Sequence, residues 1–269
     1  MHGTYIGQGR MLIKPVWGGH LIVSANDLSI TPYLITSGIF EAPLTHFLIK
    51  TIKAGNIVFD IGANSGYYTT LLGILVGPTG KVIAYEPDPK MFELLCDNVG
   101  TNYLHAQAEL KQKAVYSVHT DLTLHVSDKF PGHNSIYKRE SAELKDFDSR
   151  FDQKVNEISV QADMLDDYID MYPKIELIKM DIEGGEYQAF LGMKKLIEKN
   201  NVNIIVFEWS RQALGIYANS MATLLQEIAD KTNKVFYVLS PNGDPVRTTV
   251  DMFKEVEFLH NVLLANPLD

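Results

Sequence analysis

The stretch at residues 58–67 constrains the fold more than any other part of this sequence. It reads Val-Phe-Asp-Ile-Gly-Ala-Asn-Ser-Gly-Tyr, an apolar run that ends in small residues. Apolar side chains then recur at helical spacing, at Tyr68, Leu71, Leu72 and Leu75. A second apolar run, 81–85, ends at Glu86. Strand, tight turn, helix and strand in this order predict a βαβ unit that binds a ligand at the carboxyl edge of a parallel sheet.

The spacing of small and acidic residues in this turn indicates the kind of ligand. An acid precedes the first glycine in Asp60-x-Gly62-x-Asn64-x-Gly66, whereas dinucleotide-binding turns follow Gly-x-Gly-x-x-Gly and bring a helix up to a pyrophosphate. A carboxylate is poorly placed beside a pyrophosphate but well placed beside an ammonium group. Asn64 tolerates positive φ, and Glu86 suits a ribose diol. The pattern favours S-adenosylmethionine over NAD, and an ordinary turn that buries an acid is the alternative.

The order of elements along the chain predicts an α/β fold with a doubly wound, mostly parallel sheet. Strands are expected at 57–61, 81–85, 177–181 and 204–208, with helical patterns between them. Two further strands, 235–239 and 257–264, are expected to form an antiparallel hairpin on the edge of the sheet. Residues 1–43 are expected to cap the cleft, and residues 44–269 to form the main domain. The polar stretch 127–156 is predicted to be a mobile loop that covers the acceptor, the molecule that reacts with the cofactor. The alternative is a solvated loop without a function.

Composition narrows the class of protein. With 269 residues, 46% of them apolar, the chain can bury a substantial core. A net charge of −9 disfavours nucleic acid as a partner. The apolar runs are of strand length, and Cys96 is the only cysteine, so neither a membrane span nor an intrachain disulfide is expected. We expect a cytoplasmic protein whose partner is a small molecule, and the oligomeric state stays open.

A second group of ionisable residues follows two later strands. Lys179 and Asp181 lie at the end of one predicted strand and Glu208 at the end of its neighbour, while His133 lies in the loop at 127–156. Each could hold the cofactor or the acceptor or move a proton, and Lys179 could be a base if burial lowers its pKa. Buried ion pairs explain the same acids equally well, and His133 could simply be exposed. Asp181 with another carboxylate could also bind a divalent metal, but the spacing does not require one.

Four motifs in order resemble the FkbM-type methyltransferases, a branch of the class I enzymes that use S-adenosylmethionine. They lie at 38–41, 59–68, 84–87 and 178–186. The resemblance implies a seven-stranded sheet whose last strand is antiparallel, and methyl transfer to a hydroxyl of a sugar or a secondary metabolite. It also implies the cofactor contacts: Asp60, Gly62, Ala63, Asn64 and Gly66 at the methionine moiety, Glu86 at the ribose, Ala114 at the adenine and Glu41 at the amino-acid end, with Pro87 and Asp181 as further contacts. A cofactor-binding module without activity and a nicotinamide-dependent oxidoreductase are the alternatives.

Overall fold

The computed structural model describes residues 2–138 and 155–268. The strands are β1 Gly3–Gly7, β2 Arg10–Ile13, β3 Leu21–Ser24, β4 Ile57–Ile61, β5 Lys81–Tyr85, β6 Ala108–Lys111, β7 Ala114–Val115, β8 Thr120–Ser127, β9 Val155–Asp163, β10 Ile175–Met180, β11 Val202–Ser210, β12 Val235–Leu239, β13 Pro245–Thr248 and β14 Phe258–Ala265. The helices are α1 Thr31–Ser37, α2 Ala42–Thr51, α3 Tyr67–Val76, α4 Pro89–Thr101, α5 Glu186–Gly192, α6 Lys194–Glu198, α7 Arg211–Leu214, α8 Ala218–Thr232 and α9 Met252–Glu255.

The main sheet confirms the predicted fold class. In the described part of the chain it has eight strands, in the order β13-β12-β14-β11-β10-β4-β5-β6. The pairs from β11 to β6 are parallel, and β14 is antiparallel to β11. Neighbouring residues in the central strands, such as Val58 and Phe59, are both fully buried but belong to apolar clusters on opposite faces of the sheet. Helices therefore cover both faces, as a parallel sheet requires.

The far edge of the sheet differs from the prediction in strand count and in order. Seven strands were expected, and β13 is the eighth; its short Pro-Val-Arg-Thr sequence carries almost no apolar pattern. The edge hairpin is formed by β12 and β13, whereas β14 lies between β11 and β12. Residues 262–265 of β14 are fully buried, so this strand belongs to the interior of the sheet and not to its edge.

Two smaller sheets lie outside the main one. The order β1-β2-β3 forms an antiparallel sheet within the predicted cap segment, and β8 pairs antiparallel with β9. Most of the predicted acceptor loop, 127–156, falls at 139–154 and lies outside the described residues. The division into residues 1–43 and 44–269 stays a prediction. No helix in the described ranges is both long and apolar enough to cross a bilayer.

Candidate active site

A cavity of about 1240 Å³ opens at the carboxyl edge of the parallel strands. The ends of β4, β5, β10 and β11 form its floor, because parallel strands point their carboxyl ends to the same side. All the residues singled out in the sequence, except Asp60 and Gly66, line this cavity. They are Glu41, Gly62, Ala63, Asn64, Glu86, Pro87, Ala114, His133, Lys179, Asp181 and Glu208.

The turn after β4 brings the backbone close to the loop that follows β10. Gly62 has a φ of 77°, and a Cβ added there would lie 1.9 Å from the carbonyl oxygen of Asp181. Its amide and that of Ala63 donate to the carbonyl of Tyr85, at 3.0 and 2.9 Å. Asn64 takes the positive φ predicted for it, 51°. Gly66 caps the start of α3 and does not line the cavity. A Cβ added to it would lie 2.7 Å from the side chain of Leu95. The missing side chain at Gly66 thus lets α3 pack closely against α4, and contact of Gly66 with the ligand stays a prediction.

Glu86 lies at the tip of β5 and is held by two backbone amides. The amide of Asn64 donates to Oε2 at 2.7 Å, and the amide of Asp88 donates to Oε1 at 2.8 Å. Burial raises the pKa of Glu86 to about 8, although both amides lower it. The carboxylate is therefore oriented at the cavity wall, and a hydroxyl donor would favour its ionised form.

Asp60 and Lys179 form a buried pair behind the cavity wall. They are aligned residues of the parallel strands β4 and β10, with Lys179 Nζ 3.5 Å from Asp60 Oδ1. Thr69 Oγ1 donates to Asp60 Oδ2 at 2.6 Å, and Lys179 Nζ donates to the carbonyl of Gly62 at 3.2 Å. Asp60 is fully buried and does not line the cavity. The structure thus places Asp60 where it can position Lys179 and the turn, and its contact with a ligand ammonium group stays a prediction.

The electrostatic setting of Lys179 argues against its predicted role as a base. Burial lowers the pKa of Lys179, but the negative charges of Asp60, Asp181 and Glu41 outweigh burial and raise that pKa above its ordinary value. The ammonium group also lies 5.1 Å from the centre of the Tyr68 ring, which favours the cation. Lys179 therefore stays protonated and supplies a fixed positive charge.

Carboxyl groups crowd the same cavity. Burial raises the pKa of Asp181, which Lys179 opposes and Glu183 reinforces. Burial and then the charges of Asp181, Glu183 and Glu186 raise the pKa of Glu208 well above its ordinary value. Glu186, which does not line the cavity, accepts from the amides of Ile182 and Gly184 at 3.0 and 2.8 Å and so holds the loop before α5. The cluster has more acid than one lysine neutralises, and this favours a positively charged ligand.

Glu41 joins this cluster from the segment before α2. Tyr68 Oη donates to its Oε2 at 2.6 Å, and His260 Nδ1 lies 3.8 Å from Oε1. Burial first and the charge of Asp181 second raise the pKa of Glu41 to about 7. Sequence reasoning missed Tyr68, His260 and Asn261, which also line the cavity. The last two lie where the register between β11 and β14 shifts, a bulge that the sequence does not mark.

His133 and Glu183 form the remaining pair of the site. His133 Nδ1 lies 3.2 Å from Glu183 Oε1, and Ser135 Oγ donates to the carbonyl of Glu183 at 2.7 Å. The loop after β8 is thus fastened to the loop after β10. Glu183 has a φ of 53° and Glu41 a φ of 40°, both in the left-handed region that non-glycine residues rarely occupy. Such backbone strain is common at functional sites.

Metal ligands were considered for Asp181 with Glu183 or Glu208. Within residues 2–138 and 155–268, no group of three or more histidine, cysteine, aspartate or glutamate side chains has the arrangement of a metal site. Four acids of the cavity have other partners: Glu86 accepts from two amides, Asp181 lies beside Lys179, and Glu41 and Glu183 each lie beside a histidine.

Comparison with known proteins identifies the family. A curated relative, the methyltransferase sdnD of Sordaria araneosa, is 24% identical over 181 residues, 60% of this chain and 69% of that protein. M. jannaschii TYW2 in complex with AdoMet aligns with a TM-score of 0.46 and 13% identity over 97% of this chain and 87% of its own. The O-methyltransferase TomG from Streptomyces achromogenes aligns with a TM-score of 0.42 and 11% identity, and the alignment covers 84% of this chain and 80% of TomG. The family model described as the methyltransferase FkbM domain matches residues 60–235, well over half of the chain, and this protein therefore belongs to the FkbM methyltransferase family.

Proposed function

We propose that this methyltransferase takes its methyl group from S-adenosylmethionine and transfers it to a hydroxyl of a small acceptor such as a sugar or a secondary metabolite. One observation carries the proposal. The turn at 62–65 and Glu86 open into the same cavity as the His133–Glu183 pair, Asp181 and Glu208. At about 1240 Å³ this cavity exceeds the roughly 300–1,000 Å³ of an ordinary ligand pocket, so it has room for a cofactor and an acceptor together.

The residues of the cavity fit this cofactor. Any side chain at Gly62 would fill the space where the turn approaches the loop after β10. Glu86 suits a ribose diol, and the small buried side chain of Ala114 with Pro87 suits the flat adenine. Glu41 and Asp181 suit the ammonium and sulfonium groups, since the raised pKa values of both acids fall when a cation binds. When bound, the cofactor supplies a methyl group attached to a positively charged sulfur.

The chain itself supplies proton removal and orientation. Glu183 beside Nδ1 of His133 favours the tautomer with its proton on Nδ1, so Nε2 carries the lone pair that can accept the acceptor's hydroxyl proton. Glu208, protonated near neutral pH because of its raised pKa, can donate a hydrogen bond that orients the acceptor. Lys179 partly offsets the effect of burial by lowering the pKa of Asp181 and of Glu41, and it pairs with Asp60. Holding the two reactants in line accounts for much of the expected rate enhancement.

Binding of S-adenosylmethionine is expected to release a proton and to tighten as pH rises. The pKa of Glu41 is about 7 in the free protein, so below this pH the group is neutral and must ionise to meet a cation. For one such group the affinity should rise about tenfold between pH 6 and pH 8. Calorimetry at pH 6.5 in buffers of different ionisation enthalpy measures the released proton. Glu41→Gln should reduce the proton release and flatten the pH dependence, whereas Glu157→Gln, which changes an exposed acid outside the cavity, should leave both unchanged. An unchanged pH dependence in Glu41→Gln would contradict this role.

Replacing His133 by asparagine is expected to lower kcat by about 100-fold or more, because general-base catalysis contributes 10²–10⁴. The Kd of S-adenosylhomocysteine should change less than about threefold, since the substitution removes a proton acceptor and not a cofactor contact. The matched control is His125→Asn: His125 Nδ1 also lies beside a glutamate, Glu157 at 3.5 Å, but this histidine does not line the cavity. Equal activity of the two variants would show that His133 is not the base.

The proposed function is tested by a screen with labelled methyl donor against sugars, sugar nucleotides and phenols. Product mass and fragmentation distinguish transfer to oxygen from transfer to nitrogen. Calorimetry with S-adenosylmethionine and S-adenosylhomocysteine precedes the screen. We expect both to bind, and the absence of binding by either would refute the proposal. Thermal stabilisation by NAD in place of S-adenosylhomocysteine would instead support an oxidoreductase.

A further inference from the structure

We infer that the part of the cavity beside Glu183 is an acceptor compartment whose tyrosine wall binds an uncharged, flat or apolar ring and disfavours phosphorylated acceptors. This inference rests on the proposed function. The wall is formed by Tyr137 and Tyr217, and Tyr187 supports it by stacking on Tyr217 without lining the cavity; the three residues are termed the tyrosine platform. The rings of Tyr187 and Tyr217 are stacked, with centroids 5.2 Å apart and planes at 17°. The rings of Tyr137 and Tyr217 are 5.8 Å apart at 37°.

The tyrosine platform comes from three separate elements and adjoins the reacting groups. Tyr187 lies on α5, Tyr217 immediately precedes α8, and Tyr137 belongs to the loop after β8. The amide of Tyr137 donates to Ser135 Oγ at 3.1 Å, and that hydroxyl donates to the carbonyl of Glu183. A Cβ on Gly184 would lie 3.4 Å from the Tyr137 ring. A ring that packs on Tyr137 and Tyr217, both of which line the cavity, would therefore lie next to the His133–Glu183 pair.

Apolar side chains of the cavity are unusually exposed. Ile216 is 89% exposed, Tyr33 59%, Phe258 43% and Leu28 38%, and all four line the cavity. Exposed apolar groups gathered around one opening mark a binding surface, because water is a poor environment for them. An unsubstituted monosaccharide would leave most of this apolar surface exposed to water. An acceptor with an aromatic or apolar body would cover it, and its hydroxyl could still reach the polar floor.

The charges of the cavity select against anionic acceptors. Glu41, Asp181 and Glu183 line it as acids, the neutral Glu208 adds no charge, and no arginine lines it among the described residues. Of the lysines in the described lining, Lys179 is engaged with Asp60, Lys113 pairs with Asp163 at 2.8 Å, and Lys138 is exposed to solvent. Phosphate recognition normally uses arginine forks, free lysines or helix amides. A phosphate placed here would meet carboxylates, so phosphorylated sugars and sugar nucleotides should bind weakly.

Three probes that share one sugar test this inference: glucose, glucose 6-phosphate and 4-nitrophenyl β-D-glucopyranoside. Their affinities are measured by calorimetry with protein saturated with S-adenosylhomocysteine. The aryl glucoside should bind at least about tenfold more tightly than glucose, which corresponds to about 1.4 kcal/mol. Glucose 6-phosphate should bind more weakly than glucose. Tyr217→Ala should remove the preference for the aryl glucoside, and Tyr217→Phe, which keeps the ring, should retain it.

Tyr103→Ala, which removes a tyrosine that is 88% exposed and outside the cavity, is the matched control and should behave as wild type. Melting temperatures confirm that each variant is folded. Three results would overturn the inference. The first is an aryl glucoside that binds no more tightly than glucose, which includes the case in which neither binds. The others are tighter binding of glucose 6-phosphate than of glucose, and a Tyr217→Ala variant that still prefers the aryl glucoside to glucose. Failure of S-adenosylhomocysteine to bind would refute the proposed function instead, and the three probes are then compared on the free protein.

Discussion

Replacing Gly62 by alanine is expected to weaken S-adenosylhomocysteine binding by about 100-fold or more, equivalent to about 2.7 kcal/mol. A Cβ at Gly62 would lie 1.9 Å from the backbone oxygen of Asp181, and backbone cannot yield as a flexible side chain can. The loops after β4 and β10 would have to separate, and both line the end of the cavity that we propose for the cofactor. The φ of 77° adds an intrinsic cost of about 1–2 kcal/mol for a residue with a Cβ. Calorimetry measures the affinity, and urea unfolding measures the stability.

Gly55→Ala is the control that separates these two effects. Gly55 has a similar φ, 85°, but the atom nearest to an added Cβ is Thr79 Oγ1 at 3.6 Å, an ordinary contact. The variant Gly55→Ala should lose about 1–2 kcal/mol of unfolding free energy because of its positive φ alone. It should bind S-adenosylhomocysteine as tightly as the wild type does. If Gly62→Ala bound the ligand as tightly as Gly55→Ala, the close approach of the two loops would have no part in the site.

Replacing Lys179 by methionine is expected to lower the free energy of unfolding by about 3–5 kcal/mol, because it leaves Asp60 buried without its cation. Asp60 is fully buried, and Lys179 is nearly so. The double variant Asp60→Asn, Lys179→Met should recover a large part of that loss, since neither member of the pair then has a charge. Urea unfolding of the wild type, the two single variants and the double variant forms the double-mutant cycle.

Lys50→Met provides the surface control for this cycle. Lys50 Nζ lies 2.6 Å from Asp244 Oδ1, closer than the Lys179–Asp60 pair, but both side chains are more than half exposed. An exposed pair contributes about 0–1 kcal/mol, so Lys50→Met should change stability by less than that. A Lys179→Met variant as stable as Lys50→Met would mean that the buried pair is not the electrostatic support of this edge of the sheet.

Local sequence was a good guide where one short segment determines the geometry. The glycines and Asn64 at 62–66, the proline that starts α4 at Pro89, and the strands at 57–61 and 81–85 all follow from neighbours in the chain. The fold class was predictable for the same reason, because alternating strands and helices permit few arrangements. The eighth strand was not, since β13 is short, polar and defined only by its pairing with β12.

Roles that depend on contacts between distant residues were harder to predict. Asp60 was expected at the ligand, but the parallel register of β4 and β10 places it opposite Lys179. Lys179 was expected to be a base if burial lowered its pKa, but three surrounding acids raise that pKa. His133 is paired with Glu183, which lies fifty positions later in the chain. His260 lies at the bulge in β14 and close to Glu41, which belongs to a distant segment. No local pattern reports these pairings.

The sequence by itself determined the half of the site that we propose for the cofactor: a strand, turn and helix at 57–76 with an acidic strand tip at Glu86, because backbone conformation there depends on adjacent residues. Only the tertiary structure decided which charged side chains form ion pairs with each other and which face the cavity. It also brought Tyr137, Tyr187 and Tyr217 together from three elements. The physical reason is that strand register, loop packing and burial set these distances, and they depend on the whole chain at once.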